Sequence, residues 1–139
     1  WQHVLEPLSG YLWLGACLYH DHDGLDGEPI NFGPDSQQDM TVADLIDAMG
    51  TRWPGVRWEA DDQDGDDGLE ATLLRLSCEK AMQRLGWRAV LDLPTTVKMT
   101  VEWYRQWSEE NASLHSLTIK QIEHYTNIAS SSGLAWSSA

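Results

Sequence analysis

The 139-residue chain predicts a mostly helical α+β fold of the α/β class, built as a single domain. Three observations point there. Five stretches carry apolar residues at helical spacing, two or three short stretches read as extended, and no segment repeats. Strands this few do not make a full sheet, so the pattern also predicts an incomplete one.

The elements follow in order. Val4, Leu8, Tyr11, Leu12, Gly15, Leu18 and Tyr19 recur at helical spacing and predict a helix over Val4–Tyr19, closing in the turn-rich run His20–Glu28. Pro29–Pro34 is a short apolar run between breakers, which predicts a buried strand centred on Ile30–Gly33. Thr41, with Asp44 three residues on, caps an amphipathic helix that Gly50 ends. Val56–Ala60 alternates and predicts a half-buried strand. Asp61–Gly68 reads as an acidic loop and Leu69–Leu76 as extended.

Ser77 is expected to cap a helix that runs to Leu85 and stops at Gly86. Asp92-Leu93-Pro94 opens a helix to Ser108, with proline at a first-turn position. Its expected inner face is Val97, Val101 and Tyr104, with Trp103 and Trp107 as a second stripe. A last helix is expected over Thr118–Ala129. Residues 1–129 thus form the domain, and the Ser/Gly-rich residues 130–139 a mobile tail.

Composition narrows the functional classes. Twenty-two acids against nine bases give a formal charge of −13, which argues against nucleic acid and against anionic membrane surfaces. Cys17 and Cys78 match no metal-ligand or redox spacing, so two free thiols and a cytoplasmic setting are expected. The apolar stretch Val4–Tyr19 contains Glu6 and Pro7 and is too short to span a bilayer; it lacks the features of a signal peptide. Beginning at Trp1 without an initiator methionine, the chain is expected to be a trimmed or fragmentary product.

Local motifs add little chemistry. His20-Asp21-His22-Asp23 offers metal-ligand types but reads as a solvated loop, so no metal is expected. Asp62, Asp64 and Asp66 resemble the start of a calcium loop. The pattern fails at Asp67, where glycine is needed, and at Leu73, where glutamate is needed. Asn111-Ala112-Ser113 fits a glycosylation sequon by chance, and no nucleophile set can be singled out.

Several segments together resemble one family. Trp1-Gln2-His3-Val4-Leu5-Glu6-Pro7-Leu8-Ser9-Gly10-Tyr11-Leu12 is similar to the "HV-x-D" segment in the version used by CDP-glucose 4,6-dehydratases, NAD-dependent extended short-chain dehydrogenases. Asn31-Phe32-Gly33-Pro34 with Thr41-Val42, Glu70-Ala71, Cys78-x-Lys80-Ala81 and Leu85-Gly86-Trp87 follow in the same order. Thr100–Tyr104 and Thr118-x-x-Gln121-Ile122-x-x-Tyr125 complete the run, so the resemblance covers Trp1 to Tyr125.

The resemblance implies the C-terminal, substrate-binding part of such an enzyme, with the Rossmann half absent. In such enzymes the strand matching Ile30–Gly33 joins the Rossmann sheet. The implied reaction oxidises glucose C4 with bound NAD, eliminates water across C5–C6 and returns hydride to C6. This chain has neither a Gly-rich dinucleotide turn nor a Tyr-x-x-x-Lys pair, so no catalytic residue and no cofactor of its own are expected.

Substrate affinity is expected to be weakened as well. The family's arginine for the nucleotide phosphates precedes the segment matching Trp1. The stretch Asp64–Leu69 is acidic where the family has a His/Pro-containing one, and Ser77 stands where aspartate is usual. Glu70 remains a candidate contact to a ribose hydroxyl. His3, placed by the resemblance near the junction of the two parts, is read as making a structural hydrogen bond rather than as a catalytic group, and stands beside Glu70 as a candidate substrate contact. The expected partners are a nucleotide sugar and further copies of the chain, because faces built to meet a Rossmann sheet would be left apolar. The rival reading is a free-standing oligomeric domain that kept the fold and lost the site.

Overall fold

The structure is a computed structural model and describes residues 1–20, 24–34, 40–59, 76–109 and 113–137. Among these it holds five α-helices and a final 3₁₀ turn: α1 Leu5–Tyr19, α2 Val42–Gly50, α3 Glu79–Leu85, α4 Leu93–Ser108, α5 Leu114–Ser131 and the turn Ala135–Ser137. In space, α4 packs against α2 and α5, α1 packs against α3, and the 3₁₀ turn returns onto α5.

Helix boundaries follow local chemistry where a cap exists. Thr41 Oγ1 accepts from the Asp44 N–H at 3.1 Å, and the Asp44 carboxylate accepts from the Thr41 N–H at 3.1 Å, a complete capping box. Asp92 Oδ1 accepts from the Thr95 N–H at 2.8 Å, and Pro94 lies in the first turn of α4. Gly86 closes α3 at φ +61°, a conformation glycine adopts without strain. Ser77 does not cap α3; Cys78 occupies that position and makes no side-chain cap bond. Helix α5 begins four residues before the expected start, because the Ser113 hydroxyl accepts from the Ser116 N–H.

No strand forms among the described residues. Pro29–Pro34 is irregular, and its carbonyl at Phe32 accepts from the Gln2 side-chain amide at 3.2 Å. The run is apolar because its side chains pack, not because its backbone pairs. Phe32 is buried edge-on to Trp87, with ring centroids 4.9 Å apart, and Ile30 lies against the same cluster. Val56–Glu59 is likewise irregular, while residues 60–75 lie outside the described residues.

Two clusters make the core. Cys17, Leu25, Phe32, Ala81, Leu85 and Trp87 form the first, between α1 and α3. Leu91, Met99 and Tyr125 form the second, between α4 and α5, and Trp136 touches both. Within the segment expected as a tail, residues 130–137 are described and pack against the rest. Helix α5 runs to Ser131, Leu134 is buried, and Trp136 stacks on Tyr125 at 5.6 Å between centroids.

Helix α1 turns an unexpected side inward. It buries Glu6, Ser9, Gly10 and Cys17, with Trp13 packed beside them. Phe32 lies directly on the helix backbone at Gly10, where no side chain stands in its way. The apolar stripe that reveals the helix in the sequence is the outer one, with Leu12 77% and Tyr19 85% exposed. On α4, Val97, Met99 and Val101 are buried, whereas Tyr104 and Trp107 face outward, so Tyr104 is not an inner-face residue.

Candidate functional site

Of the two sequence candidates, Glu70 lies outside the described residues. His3 sits in the turn before α1 and is only 6% exposed. Its Nδ1 accepts from the Leu5 N–H at 3.3 Å, and its own carbonyl accepts from the Glu6 N–H at 3.0 Å. Burial holds the imidazole pKa below its ordinary value, so at neutral pH the ring is uncharged and carries its proton on Nε2. The Nε2–H has no hydrogen-bond partner among the described residues.

That nitrogen belongs to a residue lining a groove of ≈ 430 Å³ between the chain start, α4 and α5. Three segments build it: Gln2–Leu5, then Thr100, Trp103 and Tyr104 on α4, then Thr118, Gln121 and Ile122 on α5. No lining residue is a carboxylate, a thiol or a lysine or arginine; the polar side chains among the lining residues are those of Gln2, His3, Thr100, Trp103, Tyr104, Thr118 and Gln121. Trp103 is fixed in place: its indole N–H donates to Thr118 Oγ1 at 3.0 Å, and that hydroxyl donates to the Leu114 carbonyl at 2.8 Å.

Beneath the groove lies a polar network. Glu6, 1% exposed, accepts at Oε1 from the Val90 and Leu91 N–H groups at 2.9 and 2.7 Å. Its Oε2 accepts from the Tyr125 hydroxyl at 2.8 Å. Ser9 Oγ lies 2.8 Å from that hydroxyl and accepts from the Trp87 indole N–H at 2.9 Å. Desolvation pushes the Glu6 carboxyl pKa up, while the Leu91, Tyr125 and Val90 donors pull it back. Tyr125 is also driven up, first by burial. The network ties α1, the 87–91 segment and α5 together, and so holds His3 against the groove. Sequence reasoning passed over Glu6, although a lone acid inside the apolar run Val4–Tyr19 was a usable signal.

Two further cavities flank α3. One of ≈ 370 Å³ holds the Lys80–Glu28 ion pair, at 2.9 Å, and Arg84, whose guanidinium donates to the Gly24 carbonyl at 2.9 Å. The other, of ≈ 490 Å³, lies where Gly33 and Pro34 meet Leu76–Cys78, with Arg88 at its edge. That second cavity joins two of the family-like segments, Asn31–Pro34 and Cys78–Ala81. Among the described residues no three His, Cys, Asp or Glu side chains gather as metal ligands, and Asp21–Asp23 lie outside them. No described helix is long and apolar enough to cross a membrane.

No protein-family model matches the chain. It is similar to the CDP-glucose 4,6-dehydratase of Salmonella typhimurium (strain LT2), with 38% identity over 108 residues. The match takes in 77% of this chain but 29% of that enzyme, so the chain spans under a third of its relative's length. The similarity agrees with the family resemblance of the Trp1–Leu12 segment and those after it. By sequence, most of the chain is similar to part of a CDP-glucose 4,6-dehydratase.

Proposed function

We propose that this chain is the substrate-side, C-terminal part of a sugar-nucleotide 4,6-dehydratase, a lyase of deoxysugar biosynthesis, and that it acts only together with an NAD-holding half. The observation that carries this is the 38% identity over 77% of the chain to a CDP-glucose 4,6-dehydratase. The outer stripe of α1 supports it. Leu8, Tyr11, Leu12, Leu18 and Tyr19 are exposed with no charge among them, which is the surface of a helix meant to be covered.

NAD does not fit the described residues. The five helices are entered through Val4, Thr41, Cys78, Asp92 and Ser113, and none follows a strand and a glycine-rich turn able to hold a pyrophosphate. The dinucleotide is accordingly assigned to the other half, and this chain alone is non-catalytic in this reading.

A thermal-unfolding titration tests the substrate assignment. CDP-glucose at a hundredfold excess over its dissociation constant stabilises the chain by about 2.7 kcal/mol, and NAD by nothing measurable. Failure of every nucleotide sugar to stabilise it would sink the reading as a statement about binding. The exposed stripe also favours a second reading, a free-standing domain that self-associates through α1. Sedimentation then shows a dimer or larger species that Leu12→Glu returns to monomer; a monomer at tens of micromolar for the parent chain removes it.

A further inference from the structure

We propose that residues 132–137 are a clasp between the two helix groups of this fold, one that swings open at Gly133 while α5 stays folded and whose opening loosens the Glu6 junction between the groups. The inference rests on packing and hydrogen bonds alone and is independent of the dehydratase reading.

The described helices pair within two groups, α1 with α3, and α4 with α2 and α5. Side chains join the groups. The Tyr125 hydroxyl of α5 donates to Glu6 of α1, and Trp136 is the one side chain among the described residues that touches both core clusters. Its ring lies on that of Tyr125, with the planes 23° apart. The groove spans the same junction, with Gln2–Leu5 on one side and α4 and α5 on the other, so the clasp also bears on how closely the groove's walls meet.

A hinge stands at the right place. Gly133 sits at φ +72°, where an L side chain is strained, and a Cβ added there meets nothing within 4 Å. Just past it, Leu134 is buried and its N–H donates to the Ala129 carbonyl at 3.2 Å. Beyond Leu134 the bonds are local. The Ser137 N–H and hydroxyl both turn back to the Leu134 carbonyl, at 3.1 and 2.7 Å, and among the described residues packing alone holds Trp136 to the body.

That packing is opposed. The Trp136 indole N–H is buried and has no hydrogen-bond partner among the described residues. Closing the clasp gains the aromatic stack and forfeits the hydrogen bond that the indole makes to water when open. The ring stays half-buried, so the gain from the stack is partial. Opposed terms of similar size bring the closed and open states near each other in free energy, which lets a segment open without the rest unfolding.

Native-state hydrogen exchange tests this. The Leu134 and Ser137 amides are expected to exchange together, about tenfold or more faster than amides in the middle of α5. Trp136→Ala opens the clasp and is expected to speed exchange about tenfold at the Val90 and Leu91 N–H groups, which bond to Glu6 at the junction, while the Gly86 N–H at the end of α3 keeps the parent's rate. A fraying chain end would leave Val90 and Leu91 untouched. Trp136→Phe keeps a ring on Tyr125 and removes the unpaired N–H, so its opening is expected within about threefold of the parent's. Gly133→Ala strains the hinge without entering the core and is expected to raise opening about fivefold. Circular dichroism checks each fold, and Gly133→Ala carries the junction readout should Trp136→Ala not fold. The proposal is overturned if the clasp amides exchange no faster than the middle of α5, or if Trp136→Phe opens it as far as alanine does. It is overturned equally if Val90 and Leu91 do not respond, or respond no more than Gly86.

Discussion

Replacing Glu6 by alanine removes the acceptor that one buried and one half-buried backbone donor share among the described residues. The Val90 and Leu91 N–H groups both point at Oε1, and Tyr125 gives its proton to Oε2. Tyr125 retains Ser9 as a partner, but the two backbone donors have no other acceptor among the described residues. Each buried donor left unpaired costs about 1–3 kcal/mol, so Glu6→Ala is expected to cost roughly 3–5 kcal/mol in all. That is a large share of the ~5–15 kcal/mol a domain possesses.

Glu6→Gln should behave differently. Its carbonyl still accepts from Val90 and Leu91, and its NH₂ can donate to the Tyr125 oxygen, which then donates to Ser9. Burial raises the Glu6 pKa above its ordinary 4.5, so the fold favours the protonated carboxyl that glutamine imitates. As pH rises from 4.5 through the folded-state pKa, the native protein loses that advantage and the variant does not. Glu6→Gln is therefore expected within about 1 kcal/mol of the parent at pH 7, with the difference moving in the variant's favour between pH 4.5 and 7. Urea unfolding followed through tryptophan fluorescence, to which the fully buried Trp87 contributes, measures all three proteins. An alanine variant costing less than about 1 kcal/mol, or a glutamine variant as damaged as the alanine one, would refute the role given to the carboxylate.

Two further expectations follow. Gly10→Ala puts a Cβ inside the Phe32 ring and should cost about 1–3 kcal/mol, whereas Gly15→Ala meets nothing within 4 Å and should gain ~0.5–1 kcal/mol; equal effects from the two would contradict the packing of Phe32 on α1. His3, with its pKa held below 6.5 by burial, confers stability that is complete above pH 6.5 and lost as pH falls through the folded-state pKa. His3→Asn keeps an acceptor for the Leu5 N–H without titrating, so its stability–pH profile should be flatter below pH 6.5, and parallel profiles would count against a buried neutral imidazole.

The five helices were legible in the sequence because helix formation is signalled locally. Apolar spacing, Thr41 with Asp44, Asp92 before Pro94, and Gly86 each act within one or two turns, and the structure keeps all of them. The relationship to the CDP-glucose dehydratases was legible too, since it rests on strings such as that from Trp1 to Leu12. Which face of α1 turns inward was not. The helix is apolar on nearly every side, so periodicity shows that it exists without choosing its partner, and the choice falls to the small residues at Ser9 and Gly10 that admit Trp87 and Phe32. Pro29–Pro34 misled for a related reason: apolar content signals burial, while a strand also needs a neighbour to pair with, and the described residues offer none. The Glu6 network and the His3–Trp103–Gln121 groove join groups 78 to 119 and about a hundred positions apart in the chain. Only the packing of α1 against the 87–91 segment and α5 brings them together, because no local spacing carries information about a contact made across that distance.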